Sequence, residues 1–139
     1  MKTILFILPI MICSLTFGQV GTKVSGKILD EKLSCLFGAK ITNLNNGAES
    51  ITDKNGLYEI IAQENDTLEF QFVGLSTDKI RIEEPTKKLN LIMMDKEVNC
   101  LGAIWTDRQY KKAYRRIDKE LNKLYKKADK QNTWKNSSC

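Results

Sequence analysis

Short segments in which apolar and polar residues alternate follow one another from Val24 to Met93. A period of two places every second side chain on the same face of a β-strand, so each segment can bury one face against another sheet. Turn residues separate the segments about every 8–12 residues, which is typical of a β-sandwich. The seven predicted strands cover residues 24–28, 39–44, 49–52, 57–61, 67–73, 79–82 and 89–93.

The turns between these segments have residues with a defined local role. Asn45-Asn46-Gly47 predicts a tight hairpin turn. In Asp53-Lys54-Asn55-Gly56, the Asp53 carboxylate is expected to accept a hydrogen bond from the backbone two residues further on, and Gly56 is expected to take the left-handed conformation. Asp53 and Asn55 also offer oxygen ligands for a cation. One carboxylate and one amide fall short of the six or more oxygens that calcium takes, so the pattern favours a turn.

Two glycines and four large side chains complete the predicted sandwich. Gly26 and Gly38 are expected to mark bulges or close backbone approaches. The side chains expected to fill the space between the sheets are Tyr58, Ile60, Phe70 and Phe72.

Four segments in order carry a resemblance to a known family: Val24–Asp30, Gly38–Ile41, Thr52–Ile60 and Leu68–Gly74. The series resembles the carboxypeptidase regulatory-like domain over roughly residues 20–97, in the version found in outer-membrane receptors and short exported proteins of Bacteroidota. The resemblance implies a seven-stranded, transthyretin-like β-sandwich without a protease active site. The chain departs from the family at residues 35–37, where a proline-containing turn is usual, and no receptor plug or barrel follows.

The N-terminus predicts export. A positive start at Lys2, an apolar run over residues 4–16 and small residues before Gln19 are typical of a signal peptide covering residues 1–18. The run of about 13 residues is shorter than the roughly 20 that a membrane-spanning helix needs. A lipid anchor on Cys13 is the rival interpretation, but Ile12 stands where lipoprotein signals have a small residue. We expect a location in the periplasm or at the outer cell surface.

Cys35, Cys100 and Cys139 remain after the predicted cleavage. One disulfide among three cysteines allows three pairings, and Cys35–Cys100 is favoured because both residues are expected at strand ends. Three reduced thiols, and a dimer bridged through Cys139, are alternatives. The chain has no histidine and no cysteines at metal-ligand spacing, so no metal and no cofactor are expected.

Charge divides the mature chain. Residues 19–106 contain 10 Lys and Arg against 13 Asp and Glu, a net charge of −3, whereas residues 107–139 contain 11 against 4, a net charge of +7. A sandwich over 19–100 is therefore expected to be followed by a linker or edge strand over 101–106, an amphipathic helix over 107–130 and a flexible tail over 131–139. The apolar stripe of this helix consists of Tyr110, Ala113, Tyr114, Ile117, Leu121, Leu124, Tyr125 and Ala128.

The opposite face of the predicted helix is basic. Three interpretations of the helix are open: the stripe packs on the sandwich or on a second copy, the helix lies on an anionic membrane surface, or it binds an acidic envelope protein or polymer. The candidate partner-binding residues are Lys111, Lys112, Arg115, Arg116, Lys119, Lys123, Lys126 and Lys127.

The sequence favours a non-enzymatic function. Without histidine, Ser–His–Asp and Cys–His catalytic arrangements are excluded, and no glycine-rich phosphate loop is present. We expect an exported binding or scaffold module of the cell envelope, with the sandwich as platform and the helix as contact surface. A nucleic-acid partner is not expected. The alternative is a secreted carbohydrate-binding or enzyme-accessory domain.

Overall fold

The computed structural model describes residues 21–95 and 107–135, with the side chains of residue 107 and residues 109–114 left out of the description. The predicted signal peptide (1–18), the 101–106 connection, Cys100 and Cys139 lie outside the described residues. The described elements are β1 Thr22–Leu29, β2 Lys40–Asn43, β3 Glu49–Ile51, β4 Leu57–Ala62, β5 Thr67–Gln71, β6 Asp78–Arg81, β7 Leu91–Ile92 and the helix α1 Asp107–Lys130.

The strands form two sheets. One has the order β4-β1-β7 and the other the order β3-β2-β5-β6. In the first sheet β1 runs antiparallel to β4, with Thr22 opposite Ala62, and parallel to β7, with Ile28 opposite Leu91. All strand pairs of the second sheet are antiparallel. The predicted mainly β fold, a sandwich followed by one basic C-terminal helix, is confirmed.

Alternation of side chains fills the space between the sheets. On β4, Tyr58 and Ile60 are buried while Leu57, Glu59 and Ile61 are exposed. The ring of Tyr58 meets that of Phe70 edge to face, with centroids 5.7 Å apart. The predicted interior positions of Tyr58, Ile60 and Phe70 are confirmed, and Phe72, beyond the end of β5, is half-buried against the same core.

Gly26 marks the closest backbone approach in the sandwich. A Cβ atom at this position would lie 1.8 Å from the carbonyl oxygen of Leu89. The prediction for Gly38 needs correction, because no atom lies within 4 Å of its hypothetical Cβ and its φ is +84°. Gly38 is required for a left-handed turn conformation rather than for close packing.

Strand β1 is buried on both faces over its second half, from Gly26 to Leu29. Gly26 and Ile28 face the interior of the sandwich, so Lys27 and Leu29 face outward. Their burial requires a further layer over the outer face of the three-stranded sheet, and α1 supplies it. In the described part of the chain no helix is long and apolar enough to cross a membrane.

Candidate functional site

The second half of α1 packs on the outer face of the three-stranded sheet. Leu29 of β1, Ile92 of β7 and Ala128 of α1 are fully buried against one another. The partly buried side chains around them are Leu33, Cys35, Leu121, Leu124, Tyr125 and Trp134. We call this cluster the helix–sheet interface. It supports the interpretation in which the helical stripe lies on the sandwich, for the stripe residues from Leu121 onward.

Tyr125 connects the helix to the edge of the sheet. Its hydroxyl accepts a hydrogen bond from the backbone N–H of Ile92, with 3.2 Å between the nitrogen and the oxygen. Burial raises the pKa of Tyr125, the Ile92 N–H opposes that shift, and the nearby Asp78 carboxylate adds to it. The hydroxyl therefore stays neutral and satisfies a backbone donor on the edge strand β7.

The chain after α1 folds back in a hydrogen-bonded turn over residues 131–135. Asn132 has a left-handed φ of 52°, its N–H donates to the carbonyl of Asp129, and Thr133 N–H donates to the carbonyl of Ala128. This pair of bonds is a Schellman motif with Asn in the position that glycine usually takes. Within the predicted tail, residues 131–135 thus form a hydrogen-bonded turn, and residues 136–139 lie outside the described part.

Trp134 anchors this C-terminal turn, residues 131–135, to the helix. Its ring stacks on Tyr125 with centroids 5.9 Å apart, and its Nε1 donates to Asp129 at 3.0 Å. The indole therefore has both an apolar contact and a satisfied N–H, which is the usual state of a packed tryptophan. Trp134 therefore acts as an anchor of the C-terminal turn.

Lys27 lies beneath the C-terminal turn. Its side chain is 1% exposed, and its Nζ donates to the carbonyl of Thr133 at 3.0 Å. Burial lowers the pKa of Lys27, an effect that the Asp53 carboxylate partly opposes. No sequence pattern indicates this contact, because a lysine in alternation with Gly26 and Ile28 predicts a solvated outer face.

The basic face of α1 points away from the sheet. We define it by the six basic residues whose side chains the structure describes, all of which are exposed. Lys111 and Lys112 also lie on α1, but their side chains are not among those described. The six residues are Arg115, Arg116, Lys119, Lys123, Lys126 and Lys127. None of them forms an ion pair with another described residue, since the pairs found there involve only sheet lysines. The basic face is therefore available to an external anion.

Cys35 is disulfide-bonded, and the partner sulfur is outside the described residues. The bond agrees with an oxidised cysteine, while the pairing Cys35–Cys100 stays a prediction. Cys35 belongs to the helix–sheet interface, so the bond lies on the outer side of the three-stranded sheet.

The described residues offer no catalytic or metal-binding arrangement. A groove of about 520 Å³ at one end of the sandwich is lined by both carboxylates, Glu83 and Glu84, and cations, Lys87 and Lys88. Within residues 21–95 and 107–135, no group of three or more His, Cys, Asp or Glu could hold a metal ion. One oxygen of Asp53 accepts the N–H groups of Asn55 and Leu57, as predicted for a turn.

Comparison with solved structures finds similar chains in type II cohesin–X–dockerin complexes from Acetivibrio cellulolyticus. A chain of the C-terminal interface mutant has a TM-score of 0.47 and 21% identity, over 60% of this chain and 64% of that chain. A chain of the N-terminal interface mutant has a TM-score of 0.43 and 23% identity, over 52% of both chains. This protein thus covers less than two thirds of either chain. Comparison with curated proteins gives no match.

The family profile of the CarboxypepD_reg-like domain matches residues 24–103. The matched region contains all seven described strands except the first two residues of β1, and it includes the Thr52–Ile60 turn and strand that carry the sequence resemblance. The chain belongs to the carboxypeptidase regulatory-like domain family.

Proposed function

We propose that this protein is a non-enzymatic binding module of the cell envelope, in which the sandwich holds the basic face of α1 toward an acidic partner protein. The observation that carries this proposal is the division of α1 into two faces. The apolar face is occupied by the sheet at Leu121, Leu124 and Ala128, and the basic face is exposed. The predicted signal peptide supports the envelope location.

The spacing of the cations suits an acidic surface. From Arg115 to Lys127 the helix rises about 18 Å, so six positive charges lie along a length comparable to two Debye lengths at physiological salt. Neighbouring charges within that screening distance reinforce one another's potential. Such a row attracts an acidic protein surface and raises its association rate, with an affinity that falls as salt is added.

The membrane interpretation has less support. An interfacial helix buries its apolar face among the lipid head groups, with its lysines reaching outward. Here Leu121, Leu124 and Tyr125 already contact the sheet, so insertion would require the helix to leave the sandwich and expose Leu29 and Ile92. The structure therefore favours a protein partner that binds the cations without displacing the stripe.

The carbohydrate-binding alternative also has little support. Glycan sites usually present exposed aromatic rings on one face. Among the described aromatic residues, Phe37 is exposed at 64%, while Tyr58 and Phe70 are buried in the core. A single exposed ring does not form the platform that a sugar needs.

Crosslinking in native envelopes tests the proposal. The variant Lys119→Glu/Lys123→Glu/Lys126→Glu reverses three charges of the basic face and leaves the apolar stripe intact. A matched control reverses three exposed loop lysines, Lys54, Lys87 and Lys88. We expect the wild type and the control to capture the same acidic protein and the helix variant to lose it.

Two outcomes would contradict the proposal. Equal capture by the helix variant would show that the basic face is not the contact surface. Salt-sensitive binding of the wild type to vesicles that contain anionic phospholipid, abolished by the helix variant and with no protein captured, would replace the acidic protein by a membrane surface. Deletion of residues 107–139 is a poorer test, because it would also uncover Leu29 and Ile92.

A further inference from the structure

We propose that the free edge of β6 binds an extended segment of a partner protein in which acidic residues alternate with apolar residues. The segment adds a strand beside β6, and its apolar side chains enter the groove between the two sheets. This inference goes beyond the proposed function, because it concerns an edge of the sandwich and not the basic face of α1.

The backbone of β6 has one unused side. The strand is the last in the order β3-β2-β5-β6, and Ile82 N–H donates to the carbonyl of Asp66 on the β5 side at 2.8 Å. Because hydrogen-bonded residues alternate along an antiparallel pair, Ile80 and Ile82 direct their backbone groups toward β5. The N–H and carbonyl groups of Lys79 and Arg81 point away from it. Among the described residues, these four groups have no hydrogen-bond partner.

An open groove lies along this edge, between the two sheets. It has a volume of about 520 Å³, and its apolar lining consists of Val24, Ile80, Ile82 and Leu89. A second groove of about 170 Å³ is also lined by Ile80 and continues to Ile117 of α1. Successive residues of a strand point to opposite faces, so every second side chain of an added strand enters this opening. An apolar side chain is the kind that such a lining accepts.

The outer face of β6 is basic and selects the other half of the segment. Lys79 and Arg81 are both exposed there. The Lys79 ammonium lies 3.1 Å from the Glu69 carboxylate, whereas Arg81 makes no ion pair with a residue of the described ranges. Opposite charges paired across two strands stabilise a sheet, so an acidic residue of the segment belongs opposite Arg81. The charged residues of the larger groove add an excess of one positive charge, with Arg81, Lys87 and Lys88 against Glu83 and Glu84.

A second copy of this chain fits the edge less well. Pairing β6 with itself places Lys79 or Arg81 opposite a like charge in every register that matches the outer-face residues of the strand. Like charges directly opposite one another destabilise a strand pair. The edge therefore favours a partner of different sequence, with acidic residues on the outer face and apolar residues toward the groove.

A synthetic peptide tests this assignment. The peptide has about six residues, the usual length of a strand, and alternates glutamate with valine. It is titrated into isotope-labelled protein that has been exported into an oxidising compartment, and binding is followed residue by residue by NMR. One control peptide has lysine in place of glutamate, and the other has serine in place of valine. We expect both controls to bind at least about tenfold more weakly than the glutamate–valine peptide.

Amide hydrogen exchange in the same samples locates the site. In the free protein the N–H groups of Lys79 and Arg81 should exchange rapidly, because they have no acceptor in the described part of the chain. Bound peptide should slow both. Slow exchange of these two groups in the free protein would show that the edge is already covered, and peptide-induced shifts confined to α1 would place binding on the basic face; either result would overturn the proposal.

Charge reversal at the edge provides a matched pair of variants. Arg81→Glu should weaken binding of the glutamate–valine peptide by about tenfold or more and improve binding of the lysine–valine peptide. The control Lys54→Glu reverses an exposed lysine in the turn before β4 and should bind both peptides as the wild type does. Equal binding by Arg81→Glu and the wild type would refute the role of the outer face.

A second pair of variants tests the backbone contact. Arg81→Pro removes an N–H that points away from β5, so the variant loses no bond of the sheet itself. Arg81→Ala is its control, because alanine also removes the charge but keeps the N–H. We expect Arg81→Pro to bind the glutamate–valine peptide more weakly than Arg81→Ala does. Equal binding by the two variants, or a wild-type dimer in sedimentation that Arg81→Pro abolishes, would refute the added strand of a partner protein.

Discussion

Replacement of Gly26 by alanine tests how strongly the loop before β7, at Leu89 and Asn90, is held against β1. The added Cβ would lie 1.8 Å from the carbonyl oxygen of Leu89 and 2.7 Å from its carbonyl carbon. Real Cβ atoms almost never approach a heavy atom closer than 3.0 Å, so the Leu89 backbone must move by about 1.2 Å. The two nearest obstructing atoms belong to the backbone of Leu89, so a change of rotamer at Leu89 cannot relieve the clash.

Three hydrogen bonds hold the loop in the place that it would have to leave. Leu89 N–H donates to the carbonyl of Ser25 at 2.9 Å, Tyr58 hydroxyl donates to the carbonyl of Leu89 at 2.8 Å, and Lys27 N–H donates to Asn90 Oδ1 at 3.0 Å. A shift of about 1.2 Å would stretch these bonds beyond useful length. At about 1 kcal/mol each, their loss should lower the free energy of unfolding by about 3 kcal/mol.

Urea denaturation of oxidised, full-length protein measures this loss. Gly47→Ala is the control, because Gly47 has a φ of +74° and open space around its hypothetical Cβ. That variant should lose only the left-handed strain, about 1–2 kcal/mol. The slope of the transition should stay unchanged in both variants, so that the midpoints report stability. If Gly26→Ala lowered the free energy of unfolding no more than Gly47→Ala, the inference that these hydrogen bonds hold Leu89 against β1 would be refuted.

Three further predictions concern buried groups. Thr52→Val should cost about 2–3 kcal/mol by urea denaturation, because the buried hydroxyl accepts from Ala39 N–H and donates to the Leu36 carbonyl; a loss below 0.5 kcal/mol would contradict this. Burial lowers the pKa of Lys27 from its ordinary value of 10.5. Between the lowered pKa and 10.5 the unfolded chain therefore binds more protons than the folded chain, so the free energy of unfolding rises with pH in that range. Lys27→Met should flatten that rise in the urea midpoint, and an unaltered pH profile would exclude the effect. Ala128→Glu should detach the helix end at a cost of about 2–4 kcal/mol, seen as a red shift of Trp134 fluorescence in a Trp105→Phe background, whereas the exposed control Lys126→Glu should show none.

The strands and the helix could be predicted because each has a strong local pattern. Alternation over Leu57–Ala62 determines which side chains enter the core, and the observed burial alternates in the same way. A stripe at spacings of three and four residues and the absence of Gly and Pro predict the helix, which spans the predicted residues. Asp53 and Gly56 were recognisable because a turn of this kind requires their particular chemistry.

Contacts between distant segments could not be predicted in this way. Nothing near Lys27 in the sequence indicates that Thr133 will cover it, since the two residues are 106 positions apart. Asn132, just after the helix, is a local signal for the C-terminal turn, because asparagine tolerates the left-handed conformation at that position.

The cationic surface of α1 cannot be explained by the stability of the helix or by its packing. Arg115, Lys119, Lys123 and Lys127 follow one another at intervals of four residues, and each like-charged pair at this spacing destabilises a helix by a few tenths of a kcal/mol. None of the four makes an ion pair with another described residue, and none contributes to the helix–sheet interface. The packing of Leu124 and Ala128 on the sheet offsets this repulsion, but that packing does not require the like charges. These charges oppose helix formation and point away from the sandwich, so a contact with another molecule is the best explanation for them. Charge reversal on the basic face, and not removal of the helix, is therefore the decisive test.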